Sequence, residues 1–162
     1  MKTQEAIFGA GCFWGVQDYF DQVPGVVETE VGYTGGHTDN PTYWDVASQR
    51  SGHVESIKIT YDPKKVSYGT LLKHFFRMHD PTQINRQGPD IGPEYRSAIF
   101  YTSDDQKKEA DKMIEEYNKF SSRGKVVTTV EPAGKFWPAE EEHQKFVKKT
   151  GIGSCHISYS PL

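Results

Sequence analysis

Apolar and polar positions recur along this chain with two different periods, and each change of period marks an element. Ala6-Ile7-Phe8 is a short apolar run ended by Gly9-Ala10-Gly11, which predicts a buried strand. Phe13, Val16, Phe20 and Val23 then fall at helical spacing, so a helix begins at Cys12 and closes at Pro24-Gly25. Val26 to Val31 predict a second strand. Gly32 to Gly52 is rich in Gly, Thr, Asn, Asp and Ser and predicts a long loop, which in a compact domain is usually functional. The clearest alternation runs from His53 to Tyr61. Glu55, Ile57, Ile59 and Tyr61 share one face of that strand, and Ser56, Lys58 and Thr60 share the other.

Leu71, Leu72, Phe75 and Phe76 mark the next helix, and the Pro- and Gly-rich stretch Asp80 to Tyr95 predicts a second long loop. Ala98 to Tyr101 predict a strand. Ser103 with Gln106 predicts a capping box for a helix running to about Phe120. Val126 to Val130 read as a strand, and Ala139 to Thr150 as a helix stopped by Gly151. The order β-α-β-β-α-β, then α-β-α, predicts an α+β sandwich of ferredoxin-like type, with helices packed on a mixed sheet and long loops around the site. One domain spanning residues 1–162 is expected. Its tail, Gly151 to Leu162, contains Gly and Pro and is expected to be mobile.

Composition narrows the function classes. At 162 residues with 35% hydrophobic and 25% charged content, the chain can bury a core and is neither disordered nor membrane-embedded. A net charge of −3 with scattered Lys and Arg gives no reason to expect nucleic acid. No stretch approaches the ~18 apolar residues that cross a bilayer. Met1-Lys2-Thr3-Gln4-Glu5 is followed by no apolar leader region, so a cytoplasmic location is expected, with no membrane partner and a monomeric state.

The candidate chemistry begins with two cysteines, Cys12 and Cys155, which form no C-x-x-C pair. A structural zinc site is therefore not expected, nor is a permanent disulfide in a reducing compartment. Cys12 sits where a strand turns through glycine into a helix. Backbone N–H groups and the helix dipole would lower its pKa there, and Gly11 and Gly15 would leave the sulfur open. Taken alone, such a cysteine is either a packing thiol or a reactive one. Helical spacing sends Phe13 to the core and leaves Trp14 without a buried face, which suits the wall of a small apolar pocket. Glu55 is either an exposed strand-end residue or a carboxyl on the buried face. In the second case its pKa rises and it can serve as an acid. Tyr33, Tyr43 with Trp44, and Tyr95 lie in loops, where tyrosines either pack on the surface or donate to a polar substrate oxygen. The six histidines, His53, His79, His143 and His156 among them, have no metal-ligand spacing.

These residues carry a resemblance. Gly11-Cys12-Phe13-Trp14-Gly15 resembles the GCFWG signature of the peptide methionine sulfoxide reductases of the A type. Tyr33-Thr34-Gly35-Gly36, Gly52-His53-Val54-Glu55, His79-Asp80-Pro81-Thr82 and Tyr95-Arg96-Ser97 follow in the family's order, as does Ala139-Glu140-Glu141-Glu142-His143-Gln144. The resemblance covers nearly the whole chain. It implies an α/β sandwich with no metal and no organic cofactor, acting on the S epimer of methionine sulfoxide, free or in oxidised proteins. It implies Cys12 as nucleophile, Glu55 as the acid that protonates the sulfoxide oxygen, and Tyr33 and Tyr95 as hydroxyl donors to that oxygen. Asp90 matches an aspartate of the same site, and Phe13 with Trp14 would cradle the substrate methyl. Two departures stand out: Glu94, where the family commonly has Gln, and the segment from Val46 to Gly52, which lacks the usual Cys-Ser-Gly pattern.

Within that resemblance the chemistry is coherent. A sulfoxide sulfur accepts a thiolate only if its oxygen gains a proton, and the products are methionine and a sulfenic acid on Cys12. The family's resolving cysteines vary in number and position. Cys155 is the second thiol here, in a glycine-containing tail able to bend, and is expected to form a Cys12–Cys155 disulfide that thioredoxin reduces. A thiol peroxidase is the alternative enzyme, and a non-catalytic peptide-binding module the alternative outside enzymology.

Overall fold

The computed structural model describes residues 2–152 and 159–162. The chain runs β1 (Gln4–Ala10), α1 (Phe13–Phe20), β2 (Val26–Thr34), α2 (Tyr43–Ala47), β3 (Val54–Tyr61) and α3 (Tyr68–Met78). The two-residue strands β4 (Arg86–Gln87) and β5 (Asp90–Ile91) follow, then β6 (Ser97–Tyr101), α4 (Asp104–Phe120), β7 (Thr129–Pro132), β8 (Trp137–Pro138) and α5 (Phe146–Thr150). Single 3-10 turns occupy Pro93–Tyr95 and Glu141–His143.

Six strands form one sheet in the order β7-β6-β1-β3-β2-β8, and β4 pairs with β5 in a separate hairpin. The four long central strands lie as β6-β1-β3-β2 with every pairing antiparallel, which is the ferredoxin-like arrangement the sequence predicts. The parallel β6–β7 pair makes the sheet mixed. Helices α1, α3 and α4 cover one face. The alternation in β3 explains that layer: Ile57, Ile59 and Tyr61 are all but fully buried, with Phe8, Phe20, Leu71, Leu72 and Phe75 packed in the same cluster. Each such aliphatic or aromatic side chain contributes about 1.5–3 kcal/mol by leaving water. The second face carries a smaller cluster of Ile7, Val54, Ala98 and Phe100, closed by Ala133 and Phe136.

The structure corrects the expected elements where short-range pattern was weakest. The Gly32–Gly52 stretch is not all loop: β2 continues to Thr34, and α2 forms behind a capping box between Thr42 and Asp45. The Asp80–Tyr95 stretch folds into the β4–β5 hairpin and a 3-10 turn. The strand expected at Val126–Val130 sits instead at Thr129–Pro132, where β6 offers parallel partners. The helix expected over Ala139–Thr150 is broken by Lys145 in the left-handed region (φ 56°). Its side chain there reaches Asp21 at 2.8 Å and Thr29 Oγ1 at 2.9 Å, and these tertiary contacts compete with helical propensity. At α4, Ser103 Oγ accepts the Gln106 N–H at 3.2 Å, but the Gln106 side chain accepts from Thr102 N–H rather than from the cap itself. The short strand β8 had no local signal. It exists because Gly32 lacks a side chain, since a Cβ there would lie 2.3 Å from the Trp137 carbonyl oxygen.

Cys155 and His156 lie outside the described residues. Beyond them Tyr159 packs on Tyr19 at 5.2 Å and on His74 at 5.9 Å between ring centroids, and Arg77 donates to Pro161 O at 2.9 Å.

Candidate active site

β1 ends in Gly9-Ala10-Gly11, and Gly11 turns the chain with φ 94°, a conformation that disfavours side chains. A Cβ at Gly11 would also meet the Gln87 side chain at 2.9 Å. The turn sets Cys12 as the N-cap of α1, so the first free N–H groups of the helix point into the same space as its sulfur. Cys12 is partly exposed and is the one free cysteine among the described residues. Glu55 enters from β3, 3% exposed, and its Oε1 accepts the Phe13 N–H at 3.2 Å.

The electrostatics of this pair run against one expectation. Burial pushes the Cys12 thiol up to about 12, and the Glu55 charge adds to it, although the Trp14 and Gly15 N–H groups pull the other way. The helix start therefore acts in the expected direction and is outweighed by desolvation. Burial likewise raises the Glu55 carboxyl to about 8. The Phe13 N–H opposes the shift, and the negative charges of Glu94 and Asp90 reinforce it. At neutral pH the site thus holds a protonated carboxyl beside a protonated thiol.

Three tyrosines surround them, in unequal ways. Tyr33 pairs directly across from Glu55 in the β2–β3 register, is fully buried, and packs on Phe13 at 5.7 Å. Its hydroxyl donates to Glu140 Oε1 at 2.9 Å, so it is already committed. Tyr95, in the 3-10 turn, and Tyr43, at the start of α2, are both partly exposed. Burial raises both phenols, and the charges of Glu55 and Cys12 raise both further, while a mutual hydrogen bond acts on Tyr43. The resemblance singles out Tyr33 and Tyr95, and the structure adds Tyr43 to the same group of hydroxyls. A short cap-bearing helix inside a glycine-rich stretch, with Thr42 and Asp45 as its box, is the signal that could have found it.

The segment Ala139–Gln144 ties these parts together. Glu140 accepts the Tyr33 hydroxyl and, at 2.9 Å, the Tyr43 N–H. Burial opposes its charge, but those donors and its own N–H hold the carboxyl below the usual range. His143 Nδ1 accepts the Trp14 Nε1–H at 3.0 Å, which leaves the ring proton on Nε2, and the imidazole stacks on Tyr43 at 4.7 Å. Gln144 bonds both backbone groups of Val31 like an extra strand residue, at 3.0 and 2.8 Å. Trp14 has one face covered by Phe146 at 3.8 Å, and Phe13 is 1% exposed with His143 at 5.6 Å. Phe13, Trp14, Tyr43 and His143 therefore form one aromatic wall beside Cys12. Ligand atoms of Glu140, Glu142 and His143 lie within 4.8 Å of one another, but Glu140 and His143 Nδ1 are occupied by the hydrogen bonds just given.

His53 and His79 hold loops. His53 accepts the Gly36 N–H at 3.1 Å and donates from Nε2 to Thr38 O at 2.7 Å. His79 donates from Nδ1 to Phe75 O at 2.5 Å and accepts the Ser97 hydroxyl on Nε2 at 2.7 Å. Asp80 and Gln87 exchange two bonds at 2.8 Å each, fixing the hairpin that carries Asp90.

A family model described as peptide methionine sulfoxide reductase matches residues 4–162. The chain is 50% identical over 159 residues to the peptide methionine sulfoxide reductase MsrA of Methanothermobacter thermautotrophicus, covering 96% of this chain and 93% of that one. Among solved structures, Mxr1 from Saccharomyces cerevisiae in reduced form matches with a TM-score of 0.89 at 33% identity, over 99% of this chain and 93% of that one. Mxr1 in complex with Trx2 matches with a TM-score of 0.65 at 26% identity, over 98% and 89% respectively. Among the described residues no helix is long and apolar enough to cross a membrane.

Proposed function

The chain belongs to the peptide methionine sulfoxide reductase family, and on that footing we propose that Cys12 attacks the sulfur of a methionine S-sulfoxide while Glu55 protonates its oxygen. The enzyme reduces methionine sulfoxide to methionine. The observation that carries the assignment of roles is the buried Glu55, held near pKa 8 and hydrogen-bonded to the first N–H after Cys12. A general acid must be protonated at working pH and still able to release its proton, and this carboxyl meets both demands.

The proton count closes without an outside acid. As the S–S interaction forms, Glu55 gives its proton to the sulfoxide oxygen and is made whole by the proton leaving the Cys12 thiol. The oxygen then passes to Cys12: the substrate S–O bond and the S–S interaction break as an S–O bond forms on Cys12 Sγ, leaving a sulfenic acid there and releasing methionine. One thiol and one sulfoxide thus become one sulfenic acid and one thioether, with the thiol sulfur oxidised and the sulfoxide sulfur reduced by the same two electrons. A thiol held near 12 is inert at rest, so attack is coupled to the arrival of a proton acceptor. Tyr43 and Tyr95 are the hydroxyls that hold the oxygen. Tyr33, bound to Glu140, is a positioning residue for Tyr43. Phe13 and Trp14 wall the methyl group, and Asp90 adds negative charge that favours the neutral form of Glu55.

Recycling follows the same thiol chemistry. Cys155 condenses with the sulfenic acid, releasing water and forming a disulfide, and thioredoxin reduces that disulfide by thiol exchange. The relative solved with Trx2 supports such a partner. A monomer working in the reducing cytoplasm fits this cycle. No organic cofactor or metal enters it.

A single-turnover assay tests the reading. Each chain given the S sulfoxide should yield one methionine and lose two free thiols, with the R epimer and hydrogen peroxide consumed far more slowly. Cys12→Ser should form no methionine, because a serine hydroxyl is a far weaker nucleophile toward sulfur than a thiol and has no sulfenic acid state to take the oxygen. Measurable reduction by that variant sinks the nucleophile assignment, and faster loss of thiols with peroxide would favour a thiol peroxidase.

A further inference from the structure

The aromatic wall beside Cys12 does not end inside the site. Phe13 lies 5.6 Å from His143, His143 4.7 Å from Tyr43, and Tyr43 5.4 Å from Trp44, ring centre to ring centre. The inner members are buried or half-buried, whereas Trp44 is 77% exposed. A lone apolar side chain on a surface needs no explanation, but an indole that carries a substrate-facing wall out to solvent is a different case. Trp44 is also held in place although it is bare. The Thr42–Asp45 capping box starts α2, Glu140 Oε2 accepts the Tyr43 N–H at 2.9 Å, and Val46 is sunk in the core at 1% exposure. Just past the helix, Gln49 and Glu94 close on the bare Cα of Gly92, where a Cβ would meet the Gln49 amide nitrogen at 2.6 Å and Glu94 Oε1 at 2.0 Å. A large apolar face fixed in advance loses little entropy when something docks on it.

We propose that Trp44 is a specificity-determining residue for oxidised proteins: it receives a bulky apolar side chain two places from the methionine sulfoxide in an extended segment. The inference rests on Cys12 and Glu55 being the reacting pair, as assigned above, and names what surrounds the sulfoxide. Alternation along an extended chain sets the position. Side chains two places apart leave the same face about 7 Å from one another. A segment whose sulfoxide enters toward Cys12 therefore lays its second neighbour on the rim, while the adjacent residues point away. The chemistry of the occupant follows from the lesion. Methionine fills apolar cores, and its oxidation makes it polar and disrupts them. A segment opened in this way carries apolar neighbours from the same core, and an indole face gains by stacking on them. Free methionine sulfoxide has no such neighbour. Trp44 thus separates peptide from free amino acid through binding and takes no part in the chemical step.

The test is single-turnover kinetics of the full chain without thioredoxin, on blocked pentapeptides with a central methionine S-sulfoxide. Their other residues are all Gly, or Gly with one Phe two places before or after the sulfoxide. N-acetylmethionine S-sulfoxide amide is the unflanked reference. One Phe peptide should half-saturate the parent at a concentration roughly 3- to 10-fold below that of the all-Gly peptide, the worth of one aromatic pair. Trp44→Ala should remove that advantage and leave the limiting rate and both constants of the reference unchanged. Trp44→Phe should restore most of it, and Phe120→Ala, at an exposed aromatic of α4, should match the parent. Calorimetric titration of the same peptides into Cys12→Ser, with and without Trp44→Ala, should give the same ratio with no turnover. That ratio intact in a parent that reduces nothing would sink the roles of Cys12 and Glu55 while leaving the docking in place. The proposal is overturned if the parent treats Phe and Gly peptides alike, or if Trp44→Ala slows the reference as much as the peptides. It is overturned equally if Trp44→Ala alters only thioredoxin-driven turnover, which would make the indole a face for the reductant.

Discussion

Glu55 and His79 are two ionisable side chains buried in the same domain, 3% and 6% exposed, and both are neutral near pH 7. Burial does this to each, raising the carboxyl to about 8 and lowering the imidazole to about 4. Their surroundings differ in what becomes of the proton. His79 has it locked in a bond to the Phe75 carbonyl, and its other nitrogen accepts from Ser97, whose hydroxyl is in turn within 2.7 Å of Thr128. Among the described residues Glu55 receives one hydrogen bond, from Phe13 N–H, and has negative neighbours. Burial makes a group neutral. Only the group whose proton lacks an internal acceptor can hand it to a substrate.

The widest separation between the two should come from Glu55→Gln. Its single-turnover rate should drop by roughly 10²–10⁴ while its melting temperature holds or rises, since a strained carboxyl leaves an otherwise intact core. A parent-like rate at neutral pH would erase the distinction. His79→Ala should do the reverse, lowering unfolding stability in urea by about 2–4 kcal/mol through the cavity and the orphaned Phe75 and Ser97 groups. Its chemical step should stay within about tenfold of the parent.

The pH dependence of stability should set the two further apart, because the signs oppose. The folded His79 pKa is below its unfolded value, so the unfolded chain binds the extra proton between pH 6.5 and 4. Stability is therefore lost as pH falls through that window, by up to roughly 3 kcal/mol. The folded Glu55 pKa is above its unfolded value, so its contribution is full below pH 4.5 and is lost as pH rises toward 8. Denaturant midpoints across pH should show both slopes, and Glu55→Gln should flatten the alkaline one alone.

The smallest expected effect separates the tyrosines. Tyr43→Phe and Tyr95→Phe should each slow the chemical step roughly 10- to 100-fold, one lost hydrogen bond to developing charge being worth about 1.5–3 kcal/mol. Tyr33→Phe should cost less in rate and more in order, by freeing Glu140 from one donor. A larger rate loss in Tyr33→Phe than in Tyr43→Phe would return the substrate contact to Tyr33.

The parity of β3 and the helical spacing after Cys12 were legible because each is a local period read against one core. Glu55, Ile57, Ile59 and Tyr61 do share the buried face, and Cys12 does cap α1. Tyr33 and Tyr43 were not separable that way. Each stands in a stretch rich in glycine, and what distinguishes them is Glu140, far along the chain, which takes the hydroxyl of one and the backbone of the other. The sign of the Cys12 shift was equally out of reach, because a helix start is a local feature and desolvation depends on everything packed around the sulfur.

Periodicity and residue identity were enough for the ferredoxin-like order of the long strands, the helix that opens on Cys12, the face of β3 that Glu55 shares with Ile57 and Ile59, and the family, through motifs spread over nearly the whole chain. None of these needs a partner elsewhere in the chain to be read. Whether Glu55 is buried or exposed at the strand end waited for the folded chain. The break at Lys145, the edge strand β8 against Gly32, the aromatic wall closed by His143, and the meeting of Gln49 with Glu94 over Gly92 came only with the folded chain. Each depends on a contact between residues whose separation in sequence carries no period, so the energy that fixes them exists only once the chain has closed on itself.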